Sequence, residues 1–102
     1  MNNNIILIGF MGSGKTTIGK QLSQKMERTI VDTDSLIEEK QGRVISEIFA
    51  AEGEDYFRQL ETECLQGLLS EKNSRIIATG GGLPMREENR SLLKQLGTVI
   101  YL

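Results

Sequence analysis

Gly9-Phe10-Met11-Gly12-Ser13-Gly14-Lys15-Thr16 has the residue types and spacing of a phosphate-gripping loop between a strand and a helix. Ahead of it, Ile5-Ile6-Leu7-Ile8 is a short apolar run rich in β-branched residues, the pattern of a strand buried on both faces. Behind it, Ile18, Leu22 and Met26 recur every four residues, one stripe of a helix that starts near Lys15 and ends around Met26 to Arg28. The glycines let the backbone curl until successive N–H groups point inward, forming a concave anion site at a helix N-terminus. Gly12, Ser13, Gly14, Lys15, Thr16 and Thr17 are the predicted nucleotide contacts, with Lys15 on the β- and γ-phosphates and the Thr16 hydroxyl on Mg²⁺. The competing reading is a glycine-rich turn that binds nothing, and an eight-residue match in this context weighs against it.

At 102 residues the chain is one small domain at most, with a core of modest extent. Twelve Lys plus Arg against 14 Asp plus Glu give a net charge of -2, so no basic field favours nucleic acid or an anionic membrane, and any anionic ligand must be held by local groups. Met1 and three Asn precede the four-residue apolar run, with no positive charge among them, so a signal peptide or membrane span is not expected. Cys64 stands in register with Phe57, Leu60 and Leu68 on a helical face. With no His in the chain to act as its base, it reads as a core thiol of a cytoplasmic protein.

The remaining elements alternate strand and helix, which predicts a parallel sheet covered by helices. Thr29-Ile30-Val31 is the second strand, and it stops at Asp32-Thr33-Asp34, where ligands of open α/β sheets sit. An N-cap role for Asp34 ahead of Leu36-Ile37 competes with ligand binding there. A helical segment with Ile45, Ile48 and Phe49 on one face follows and breaks at Gly53; Val44, at its cap, has no side-chain acceptor. The next helix, Glu54 to Leu69, is expected to bury Tyr56, Phe57, Leu60, Cys64 and Leu68. Arg58 lies off that stripe with Glu61 one turn on, and spacing alone makes them a surface pair worth ~0.2–0.5 kcal/mol. Arg75 to Thr79 is the third strand. It ends without a carboxylate, and Gly80, Gly81 and Gly82 let a ligand approach the backbone, or else form a loose turn before the helix that follows Pro84. That helix, about Glu87 to Leu96, packs through Leu92, Leu93 and Leu96 and stops at Gly97, read as a left-handed cap; Thr98 to Leu102 is the fourth strand.

Four of these stretches resemble shikimate kinases, which phosphorylate the 3-hydroxyl of shikimate with ATP: the loop through Gly19, Val31-Asp32-Thr33-Asp34, Gly53-Glu54-Asp55-Tyr56-Phe57-Arg58-Gln59-Leu60-Glu61, and Ala78-Thr79-Gly80-Gly81-Gly82. The resemblance implies a three-layer α/β P-loop NTPase fold with a parallel sheet in the order 2-3-1-4. It makes Lys15 and Asp34 the catalytic residues and gives Mg²⁺ to Thr16 and, through water, Asp32. Asp34 would hydrogen-bond the substrate diol and accept the attacking hydroxyl's proton. Arg58, oriented by Glu61, would clamp the substrate carboxylate, and the N–H groups of Gly80, Gly81 and Gly82 would touch the substrate. Val44 departs from the Ser or Thr that the family tends to carry. The family continues into a lid with a catalytic Arg, a second substrate-binding Arg, a fifth strand and an adenine-contacting loop. Residues 1–102 are therefore expected to form a single P-loop kinase domain, C-terminally incomplete, with little turnover alone. A family that is monomeric at full length would here expose Thr98 to Leu102 as an edge open to self-association. Gluconate kinase shares the loop but is not expected to pair Asp-x-Asp with Phe-Arg and the three glycines, and a nucleotide-binding remnant without turnover is the other alternative.

Overall fold

β1 (Asn4–Ile8) is the central strand that the apolar run predicts, with Ile6 and Leu7 fully buried. The computed structural model describes residues 4–9, 14–71, 74–80 and 82–102. After β1 come α1 (Lys15–Met26), β2 (Ile30–Asp32), α2 (Thr33–Gln41), α3 (Ile45–Glu52), α4 (Glu54–Leu69), β3 (Ile76–Ala78), a 3₁₀ turn (Leu83–Met85), α5 (Glu87–Leu96) and β4 (Gly97–Tyr101). The four strands form a parallel sheet in the order β2-β3-β1-β4, as expected. Ile6 stands between Ile77 and Val99 in one row and Leu7 between Ala78 and Ile100 in the next, so the centre of the sheet is aliphatic on both faces.

Alternation along the strands separates the two faces. Ile6, Ile8, Val31 and Ile77 join Phe57, Leu65 and Leu68 of α4 and Leu93 and Leu96 of α5 in one core cluster. On the other face α1 covers the sheet, with Gly19 directly against the Leu7 and Ile30 side chains. The result is three layers, each fully buried Leu or Ile contributing ~1.5–3 kcal/mol.

Several local expectations need correction. Tyr56 and Met26 lie on the predicted stripes but are 39% and 38% exposed, and the inner face of α4 runs instead through Phe57, Glu61, Cys64, Leu65 and Leu68. The cap of α2 is Asp32, not Asp34: its Oδ1 accepts from the backbone N–H groups of Asp34 (2.9 Å) and Ser35 (3.2 Å), because the helix starts at Thr33, directly after the strand. Gly97 is not a left-handed cap. Its backbone is extended and opens β4, and a side chain there would overlap the Asn4 carbonyl, so glycine is required by the closeness of β1.

Two polar groups hold junctions that the sequence pattern does not reveal. Val44 indeed supplies no cap for α3, and Glu38 supplies one from α2, its Oε2 accepting from the Ile45 N–H at 2.8 Å. Asn4 is buried at the start of β1, where Nδ2 donates to the Leu96 carbonyl (3.0 Å) and Oδ1 accepts from the Arg75 N–H (2.7 Å). Both of its polar ends are satisfied, so burying it is not penalised.

Candidate active site at the carboxyl ends of the strands

The C-terminal ends of β1, β2 and β3 open on one mouth, and the predicted residues that the structure describes converge there. Lys15, the first residue of α1, turns its Nζ back to donate to the carbonyls of Gly9 (2.9 Å) and Thr79 (2.6 Å), bridging the ends of β1 and β3. Gly14, the residue before α1, makes no side-chain cap, and the first turn holds no acid. The first amides of α1 therefore remain available to an anion, with an ammonium beside them. Gly12, Ser13, Gly81 and the Thr16 side chain lie outside the described residues. Thr17 is exposed on α1.

Across the mouth stands Asp34, in the first turn of α2. Its carboxylate lies against Gly80, where an added Cβ would come within 2.9 Å of Oδ1. That Oδ1 is buried without a hydrogen-bond partner among the described groups. Burial, with the neighbouring Asp32 charge second, pushes the Asp34 carboxyl above its ordinary pKa, while Lys15 and Arg58 pull the other way. A buried acceptor left unpaired by the protein is what a ligand hydroxyl would satisfy.

Arg58 of α4 makes the third corner. Nη1 donates to Glu61 Oε1 at 2.8 Å, and Nε pairs with Glu54 at 3.5 Å. Glu61 is 1% exposed, which rules out the surface-pair reading drawn from spacing alone. The hydrogen bond to Glu61 holds the guanidinium's pKa above its ordinary value. Of its five N–H groups these two partners use two, which leaves the Nη1/Nη2 side of the fork for a planar anion. Gly82 lies flat against that fork, where a Cβ would sit 2.5 Å from Nη1. Arg58, Gly82, Glu54, Asp55, Gln59, Met85 and Arg86 line an open cleft of about 620 Å³.

Sequence reasoning missed Thr33. It is fully buried between Asp32 and Asp34, and its Oγ1 accepts from the Gly80 N–H at 3.3 Å, tying the β2–α2 junction to the glycine turn. Its only sequence signal is a hydroxyl between two acids at a strand end.

A family model described as shikimate kinase matches residues 11–102. The chain belongs to the shikimate kinase family. A shikimate kinase from Alkaliphilus oremlandii is 54% identical over 102 residues, all of this chain and 60% of that protein. Among solved structures, shikimate kinase from Acinetobacter baumannii in complex with shikimate superposes with a TM-score of 0.92 at 45% identity, covering 100% of this chain and 56% of that one. Shikimate kinase from Aquifex aeolicus gives a TM-score of 0.88 at 41% identity, over 97% of this chain and 58% of that one. The chain thus spans about three-fifths of the length of the relatives it matches. A gluconokinase from Sinorhizobium meliloti, at 15% identity and a TM-score of 0.55, shares the fold alone.

Burial pushes the Cys64 thiol up to about 11, so it stays protonated in the core. No described helix is long and apolar enough to cross a membrane. Nor do three carboxylate or thiol groups gather at one point among the described residues.

Proposed function

We propose that this chain binds ATP with Mg²⁺ and shikimate, and that its residues serve transfer of the γ-phosphoryl group to the shikimate 3-hydroxyl. The observation that carries this reading is the arrangement of Asp34 against Gly80 and Arg58 against Gly82, across the mouth from the Lys15 ammonium. A donor fork and an unpaired acceptor, both backed by glycine, suit a ligand with a carboxylate at one end and hydroxyls at the other.

The pieces divide the work. Lys15 exchanges its two neutral carbonyl partners for phosphate oxygens, a stronger charge-assisted contact. Asp32 has one oxygen committed to capping α2, so its other oxygen is the one free to reach a metal-bound water, alongside Thr16. Mg²⁺, when bound, supplies charge neutralisation on the phosphates. Arg58 fixes the acceptor through its carboxylate, and Asp34 orients the hydroxyl and takes its proton. The raised pKa of Asp34 makes it a better proton acceptor near neutral pH than an exposed aspartate.

Among the described residues no strand pairs with the outer edge of β4, which supports self-association of the 102-residue chain through that edge. Light scattering tests it, and a monodisperse monomer would remove it.

Calorimetry with shikimate, gluconate and ADP, followed by a coupled ADP-release assay, tests the assignment. The chain should bind shikimate and not gluconate. Arg58→Lys should lose ~10–100-fold in shikimate affinity while ADP affinity stays within about twofold, because only the fork geometry changes. Unchanged shikimate binding in Arg58→Lys would overturn the acceptor site. ADP release from the 102 residues alone should be slight, and release at a full kinase rate would show that they suffice for transfer.

A further inference from the structure

Behind Gly82 lies a buried polar network that the phosphoryl-transfer reading does not use. Asn89, in the first turn of α5, is fully buried, as few asparagines are. Its Nδ2 donates to the Leu83 carbonyl at 2.9 Å, and its Oδ1 accepts from Thr62 Oγ1 at 2.6 Å. Thr62 sits on α4 one turn beyond Arg58. Its hydroxyl also lies 3.3 Å from the Arg58 carbonyl, but a single O–H serves the shorter contact to Asn89 first. Arg86 Nη1 adds a longer bond to the same hydroxyl at 3.4 Å.

The network joins three elements at one point. Leu83 opens the 3₁₀ turn, and the residue before it is Gly82, whose backbone lies against the Arg58 guanidinium. Leu83 is itself fully buried, and its N–H donates to the Gly80 carbonyl at 3.3 Å. From the α5 side, then, the Asn89 amide fixes the turn that walls the fork, and through Thr62 it fixes the helix that carries the fork. An aliphatic side chain could fill the same space but could not hold both. We infer that Asn89 is a positioning residue for the acceptor site: through Leu83 and Thr62 it sets the gap between the Gly82 backbone and the Arg58 guanidinium. The inference rests on the reading of Arg58 as the fork for the acceptor's carboxylate.

Its test combines a ligand-free readout with a ligand-dependent one. The Arg58 Nε–Hε signal, assigned in ¹⁵N NMR spectra by its loss in Arg58→Lys, reports the fork directly. Asn89→Asp keeps size and Oδ1 but removes the amide donor to Leu83, and should move or broaden that signal toward that of free arginine. Thr62→Val should do the same to a lesser degree, whereas Thr62→Ser, which keeps the hydroxyl, should leave it in place. In calorimetry the first two variants should lose ~10-fold in shikimate affinity with ADP binding held within about twofold. Should Asn89→Asp not fold, Thr62→Val against Thr62→Ser carries the comparison. An unmoved Arg58 signal in folded variants, or equal weakening of shikimate and ADP, would mean that Asn89 only packs α5. Absence of shikimate binding in the unmodified chain would count against the proposed function, and the Arg58 signal would still decide the role of Asn89.

Discussion

Arg58 and Lys15 act on the same carboxylate, Asp34, yet they are held in place by different kinds of partner. Arg58 is fixed by the buried carboxylate of Glu61, with Gly82 flat against it. Lys15 is held by two neutral carbonyls, those of Gly9 and Thr79. On the proposed reading the acceptor side is therefore assembled before any ligand arrives, and its cation would keep its partner when a ligand binds. On the proposed nucleotide side the cation would have to leave its partners to meet a phosphate. A fixed fork suits selection of a planar carboxylate, and a mobile point charge suits a phosphate that changes shape during reaction.

Lys15→Ala breaks this comparison with the largest effect. Only backbone donors then remain to meet the β-phosphate oxygens, and ADP affinity should fall by at least ~100-fold in calorimetry. Shikimate affinity without nucleotide should fall far less, because Arg58 and its partners do not depend on Lys15, which reaches the acceptor side only through its charge on Asp34. If the two ligands weaken together, the halves of the mouth are not separable.

Glu61→Gln sharpens it. The amide oxygen can still accept from Nη1, but the counter-charge is gone and Arg58 loses the partner that holds it in place. Shikimate affinity should fall ~10-fold while ADP binding is unaffected. An unchanged shikimate affinity would show that Gly82 and Glu54 suffice to hold the fork.

How far these residues could be read from sequence depends on how local their causes are. The first strand, the extents of α1, α4 and α5 and the alternation of elements follow from periodicity over ten to twenty residues, and the structure shows them there. The burial of Glu61 does not follow, because α4 packs against α2, α3 and α5, and its own pattern does not say which of its polar residues they cover. Gly97 reads as a helix cap because it follows the last apolar residue of α5, yet the contact that requires glycine is with Asn4, at the other end of the chain. Thr33 and Asn89 were silent for the same reason: each is a polar residue whose partner is remote, Gly80 for one and Thr62 for the other. Asp32 and Asp34 could not be separated by pattern, since either can cap a helix that starts within two residues of both.

That last pair gives the smallest effect and the sharpest sign. Asp32 accepts two backbone N–H groups at the start of α2, so Asp32→Ala should destabilise the fold by ~1 kcal/mol. Asp34 is the opposite case. Its Oδ1 is buried without a partner, and burial lifts its pKa above the ordinary 3.8. Between 3.8 and the raised value the folded chain binds more protons than the unfolded chain, so this residue's contribution to stability falls as pH rises through that window and stays low above it. Asn has nearly the same shape and does not titrate. Asp34→Asn should therefore match the parent's thermal midpoint near pH 3, pull ahead as pH rises past the ordinary carboxylate range, and hold that lead at pH 7. The same change should weaken shikimate binding and abolish whatever ADP release the chain supports, because an amide cannot take the hydroxyl's proton. Scanning calorimetry at pH 3 and pH 7 reads both acids at once. A midpoint for Asp34→Asn below the parent at pH 7, or a gap that does not change with pH, would mean that Asp34 supports the fold as Asp32 does rather than waiting, unpaired, for a substrate.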